Sequence, residues 1–128
     1  MVETQRYRDG AGFEDAAGYS RAVRRGQRIE VSGTTVSGSG PAEPGDTERQ
    51  TREALQQAIA AVESLGGQVG DIVRTRLLLL PGASWEGASA AHAQVLGEVA
   101  PANTTVYVAG LIGDGALVEV EVSAEVGA

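Results

Sequence analysis

A chain of 128 residues with 42% hydrophobic content is the size of one compact domain with its own core, and a single domain over residues 1–128 is expected. The absence of cysteine excludes disulfides, thiolate nucleophiles and cysteine-ligated metals, and because all ten basic residues are arginine, lysine Schiff bases and the lysine of a phosphate loop are excluded too. A net charge of −7 repels a phosphate backbone, so no nucleic-acid partner is expected.

The opening MVETQRYRDG lacks the apolar core of a signal peptide, and no apolar run, the four leucines Leu77 to Leu80 included, comes near the length that spans a bilayer. A cytoplasmic protein with no membrane partner is expected. The first eighteen residues read as a short edge strand and a loop. GYSRAVRRGQRIEVSGT reads as a hairpin turning at Arg25-Gly26, with Ile29 and Val31 on one face and Arg28, Glu30 and Ser32 on the other. Its arginines, Arg21, Arg24, Arg25 and Arg28, are the one concentration of cations and read as a solvated strand pair. TTVSGSGPAEPG is a surface loop, and its glycines match neither a dinucleotide nor a phosphate-loop spacing.

An amphipathic helix starts at Asp46 or Thr47, since Leu55, Ala58, Ile59, Val62 and Leu65 fall at helical spacing and Gly66-Gly67 stops it. Thr47 and Gln50 have capping-box spacing, and Glu48 to Arg52 and Arg49 to Glu53 are i,i+4 pairs. DIVRTRLLLL is a strand with Arg74 and Arg76 on one face and Val73, Thr75, Leu77 and Leu79 on the other. Ser84 caps a second helix, Trp85 to about Val99, whose stripe of Trp85, Ala88, His92, Val95, Leu96 and Val99 meets the core. His92, the only histidine, therefore reads as a packed helix residue, and no metal site or Ser-His-Asp triad can be built on it.

NTTVYVAGL and ALVEVEVSAEV complete the chain as a strand pair around IGDG. The last alternates Val118, Val120, Val122, Ala124 and Val126 with Glu119, Glu121, Ser123 and Glu125. The element order argues an α+β domain, a mixed sheet with two helices packed on one face. The other face would carry Glu119, Glu121, Arg74, Arg76, Glu30 and Tyr107, which suits an oligomer interface with clefts.

Several segments, in the same order, resemble the Rid/YjgF family of reactive-intermediate deaminases over nearly the whole chain. They are GYSRAVRRGQRIEVSGTT, QTREALQQAIAAVESLGGQVGDIVRTRLLLL, APANTTVYVAGL and LVEVEVSAEV. The resemblance implies a chorismate-mutase-like fold and a homotrimer with sheets inward, helices outward and three substrate clefts between subunits. No cofactor and no metal are expected. Tyr19 matches the family's cleft tyrosine, Gly33 the backbone facing the ligand, Thr105 a small cleft residue and Glu119 the acid that orients or activates water. Ser89 stands where many members carry a ligand-binding Asn, and Tyr107 joins the substrate-binding set. Asn103 occupies the place of the arginine that clamps a substrate carboxylate.

A guanidinium fork pairs bidentately with a carboxylate, whereas an asparagine amide is neutral, and losing the fork should cost a 2-imino acid on the order of 2–5 kcal/mol. Asn103 suits instead a neutral substrate carrying a carbonyl, amide or hydroxyl. A cleft-buried Glu119 would have its pKa raised by desolvation, as a general acid/base needs. The expected function is thus Glu119-mediated enamine or imine hydrolysis, or a biosynthetic tailoring step, on a small neutral substrate. A non-catalytic small-molecule or partner-binding protein and, against the charge, a ribonuclease are the alternatives. Specificity is expected in the loop Val36 to Gly45 and in contacts across subunits.

Overall fold

The computed structural model describes residues 2–10, 13–36 and 44–127, so positions 37–43 of the expected specificity loop lie outside the described residues. Among the described residues six strands and three α-helices follow in the order β1 (Thr4–Tyr7), α1 (Glu14–Ala17), β2 (Ala22–Arg25), β3 (Arg28–Thr34), α2 (Thr47–Ser64), β4 (Ile72–Leu79), α3 (Trp85–Leu96), β5 (Ala102–Tyr107) and β6 (Val118–Glu125). They build the expected α+β architecture on one sheet ordered β1-β2-β3-β6-β4-β5, antiparallel except where β5 runs parallel to β4.

The expected hairpin between the last two strands does not form. Strand β6 lies between β3 and β4, because Val118, Val120, Val122 and Ala124 are all buried and such a strand belongs at the sheet centre. Strand β5, half exposed along its length, takes the edge, and α3 provides the crossover that a parallel β4–β5 pair requires.

The core lies between the sheet and the two long helices. Leu55, Ala58 and Val62 of α2 and Ala88 and Leu96 of α3 meet Ile29, Leu77, Leu79, Val118 and Val120, all fully buried. Residues Thr47 and Gln50 do not form the expected capping box. The Thr47 hydroxyl accepts from the Ser84 amide at 3.1 Å, while the Gln50 carboxamide donates to Gly115 O and accepts from the Leu117 amide, both at 2.8 Å. Gln50 therefore ties α2 to the start of β6, satisfying backbone groups that would otherwise be buried unpaired. Arg49 and Glu53 form the expected pair at 2.8 Å, but Glu48 accepts from Gln94 of α3 instead of pairing with Arg52.

Two apolar expectations differ. Val73 is 49% exposed and Ile72 is buried in its place, because a register shift between Ile72 and Arg74 changes the phase of β4. Trp85 is 53% exposed, and it is Ala88, Ala91 and Leu96 that α3 buries. Ser84 caps α3 as expected, its Oγ accepting from the Gly87 amide at 3.0 Å. Among the described residues no helix is long and apolar enough to cross a membrane.

Candidate functional site

Strand β6 carries Glu119 on the sheet face away from the helices, since its neighbours Val118 and Val120 fill the core. Opposite it, β3 is irregular. Val31 pairs with Val122 and Thr34 with Val120, so Ser32 and Gly33 together oppose the single residue Glu121, the signature of a bulge. The bulge brings the Gly33 backbone beneath the Glu119 carboxyl. A Cβ at position 33 would stand 2.7 Å from Glu119 Cδ and 3.0 Å from each of its oxygens.

Beside them lies an open cleft of about 530 Å³, lined by Tyr19, Arg21, Gly33 and Glu119 with Phe13 and Ile112 at its apolar rim. Tyr19 and Arg21 share a side of the segment entering β2. The guanidinium of Arg21 lies 5.8 Å from the centre of the Tyr19 ring, and its Nη2 donates to the Gly33 carbonyl at 2.7 Å. Glu14 fixes this entry from behind. Buried in α1, it accepts from the Gly10 amide and the Arg21 amide, each at 3.0 Å.

Burial pushes the Glu119 carboxyl above its ordinary pKa, the neighbouring Glu121 carboxylate pushes the same way, and the Arg21 guanidinium pulls it back. Arg21 makes no ion pair with Glu119, its Nη2 being engaged by the Gly33 carbonyl, and both residues line the cleft. The arrangement offers a proton-exchanging acid, a fixed cation and a phenol above a floor stripped of its side chain. Among the described residues no three His, Asp or Glu side chains gather as a metal ion would require.

The structure thus unites three of the sequence-predicted residues, Tyr19, Gly33 and Glu119, and adds Arg21 and Glu14, which sequence reasoning missed. In sequence Arg21 is one of four like cations and reads as solvated. Arg24 bonds to Leu65 O at the end of α2, Arg25 to Thr4 of β1 and Arg28 to Glu30 of its own strand, whereas Arg21 alone of the four turns into the cleft. Its shared parity with Tyr19, two residues away on an extended segment, was the available signal.

The other predicted residues stand elsewhere in the protomer. Asn103, Thr105 and Tyr107 pair in register with Thr75, Leu77 and Leu79, which places them on the helix side of the sheet. Tyr107 is therefore not on the charged face where the alternation of β5 and β6 had put it. Its hydroxyl donates to Ala83 O at 2.9 Å, at the turn before α3. The open face carries Glu30, Arg76, Glu119 and Glu121, with Arg76 and Glu121 paired at 3.3 Å and Arg74 donating to Thr104 at 2.7 Å. Asn103 donates to Thr75 Oγ1 at 3.0 Å and accepts from Thr105 at 2.8 Å. Ser89 is exposed on α3. Within one protomer this second group and the Glu119 cleft lie on opposite faces of the sheet.

Residues 11–126 match the family described as Endoribonuclease L-PSP. The Streptomyces coelicolor protein SCO2049 is 34% identical over 125 residues, covering 97% of this chain and 93% of that protein. Rv2704 of Mycobacterium tuberculosis, a member of the YjgF/YER057c/UK114 family, is 39% identical with a TM-score of 0.87, the match covering 97% of this chain and all of that one. TdcF of E. coli, whose structure holds bound serine, is 26% identical with a TM-score of 0.77 over 99% of this chain and 98% of its own. The sheet order, the helices on one face and these likenesses together show that the chain has the chorismate-mutase-like fold and belongs to the YjgF (Endoribonuclease L-PSP) family.

Proposed function

We propose that the protein is an acid/base enzyme of the Rid type, hydrolysing a small imine or enamine in a cleft where Glu119 handles the proton. The observation that carries this reading is the Glu119 carboxyl, held above its ordinary pKa, over a glycine floor in an open cleft shared with Arg21 and Tyr19. In the proposed reaction Glu119 takes a proton from water as its oxygen bonds to the imine carbon. The nitrogen, protonated through the same carboxyl, then leaves as ammonia while a carbonyl forms. The Arg21 guanidinium, anchored on Gly33 O, holds the polar end of the substrate, and Phe13 and Ile112 border its apolar part.

The remaining substrate-binding residues, Ser89, Asn103, Thr105 and Tyr107, complete the cleft from a neighbouring subunit of a homotrimer. This reading is supported by their placement across the sheet from Glu119, since one copy cannot bring both groups to one ligand. That TdcF holds serine supports a small polar ligand. The test is ammonia release from freshly generated imines with and without a carboxylate. Activity in the natural protein and none in Glu119→Gln is expected; equal activity in both would remove Glu119 from the mechanism.

A second reading, a binder without turnover, draws on Asn103, which replaces the family's carboxylate-clamping arginine. It predicts ligand-induced thermal stabilisation with no product. RNA cleavage has the net charge of −7 against it and would have to survive both Glu119→Gln and high salt.

A further inference from the structure

A file of hydrogen bonds crosses from helix α3 through β4 to the β5 edge. His92 Nε2 lies 2.8 Å from Thr75 Oγ1, Asn103 Nδ2 donates to the same Oγ1 at 3.0 Å, and Thr105 Oγ1 donates to Asn103 Oδ1 at 2.8 Å. Thr75 is fully buried. Its hydroxyl has one hydrogen to give, and a buried donor left unbonded is costly. With the Asn103 amide already donating to the oxygen, that hydrogen has His92 Nε2 as its acceptor. The imidazole must then be neutral and carry its own proton on Nδ1. Burial lowers the His92 pKa, in keeping with a neutral ring.

The direction of this file decides what the β5 edge can offer. Thr105 spends its hydrogen on Asn103 Oδ1, so its oxygen is left as an acceptor. Asn103 spends one amide hydrogen on Thr75 and keeps the other as a donor. We propose that His92, acting through Thr75, is a positioning residue that fixes the hydrogen-bond polarity of Asn103 and Thr105, so that this edge takes a neutral carboxamide-like group in preference to a carboxylate. A carboxamide accepts from Asn103 Nδ2 and donates to Thr105 Oγ1, whereas a carboxylate meets the lone pairs of Thr105 with lone pairs of its own. The inference rests on the reading that the β5 edge lines the substrate cleft.

His92 is the chain's only histidine, so its ring nitrogens are assigned in a ¹⁵N NMR spectrum without mutation. In the free protein at neutral pH the Nδ1–H tautomer is expected. The Nε2–H tautomer would reverse the whole file, turn Asn103 around and overturn the proposal. Thr75→Val should shift the Asn103 carboxamide resonances towards free-solvent values and Thr75→Ser should restore them, with backbone spectra reporting that both variants fold. Unmoved Asn103 resonances in Thr75→Val overturn the positioning role. The imine of alaninamide, generated in situ, should be hydrolysed with a KM roughly tenfold below that of the imine of alanine, the worth of about one hydrogen bond, and Thr75→Val should erase the difference without changing kcat alike for both. If neither imine is hydrolysed, the catalytic reading falls on its own. The present proposal is then decided by titrating Asn103 with propanamide and propanoate, where equal binding overturns it.

Discussion

The carboxyl of Glu119 sits directly over the missing side chain of Gly33, where even a methyl group would stand 2.7 Å from its Cδ. The β3 bulge and the acid of β6 therefore act as one unit, and the backbone conformation of Gly33 is not what demands glycine. Gly33→Ala must displace Glu119 or open the bulge, with an overpacking cost of about 1–3 kcal/mol. Ammonia release should drop at least as far as in Glu119→Gln, while circular dichroism reports an unchanged fold.

A carboxyl with a raised pKa also leaves a mark on stability. Burial, the first cause, and the Glu121 charge penalise the ionised form of Glu119 in the folded state, with Arg21 opposing them. Stability from this group is fully present below its unfolded pKa and is lost as pH rises through the folded value. At neutral pH Glu119→Gln should therefore melt higher than the natural protein, and the difference should shrink to nothing as pH falls through the carboxylate range. Melting curves across pH check this, and a lower melting point for Glu119→Gln at pH 7 would show that Glu119 is held by structural partners.

Arg21 acts on the same group from the other side. Replacing it by Met keeps the aliphatic stem but removes the cation that lowers the Glu119 pKa and the bond to Gly33 O at 2.7 Å. The acid limb of the pH–rate profile, which reports Glu119 losing its proton, should move to higher pH in Arg21→Met, and KM for charged imines should rise. A profile that stays in place would mean that the guanidinium does not sense the carboxyl.

Much of this arrangement was legible beforehand because alternation and helical spacing are local signals. The sequence LVEVEVSAEV placed Glu119 on the face opposite the core, and the residues resembling a known family marked Tyr19 and Gly33. What escaped was decided by partners distant along the chain. Gln50 and Thr47 have capping-box spacing, but their side chains reach Leu117 and Ser84, a choice no local pattern contains. The phase of β4 changes at a bulge, which exposes Val73, and β5 joins β4 instead of its chain neighbour β6. Arg21 looked like Arg24, Arg25 and Arg28 because only the fold shows that those three bond to the end of α2, to β1 and within β3.

Gln50 gives the largest stability effect expected from a single polar residue outside the cleft. It is buried and satisfies Gly115 O and the Leu117 amide at once. Gln50→Leu keeps the bulk but strands two backbone groups, which should cost on the order of 2–6 kcal/mol in urea unfolding, since each unsatisfied buried group costs about 1–3 kcal/mol. An effect below about 0.5 kcal/mol, the scale of an ordinary surface change, would show that water replaces the carboxamide.

Val106, which pairs with Leu78 as Leu78 pairs with Glu119, lies on the same sheet face as Glu119 and Arg76, at the β5 edge, and is 42% exposed. Apolar side chains among charges on an edge strand cost solubility unless another surface covers them. In the proposed homotrimer this face turns inward, so an aspartate there would have to be desolvated at the subunit contact. Val106→Asp should shift light scattering from trimer to monomer and abolish imine hydrolysis, although position 106 contacts neither Glu119 nor Arg21. Because the group on β5 and the group around Glu119 lie across the sheet from each other, a monomer can offer only half a cleft. A monomeric natural protein that still released ammonia would show that the Glu119 side is sufficient, and the roles proposed for Asn103, Thr105 and Tyr107 would fall together.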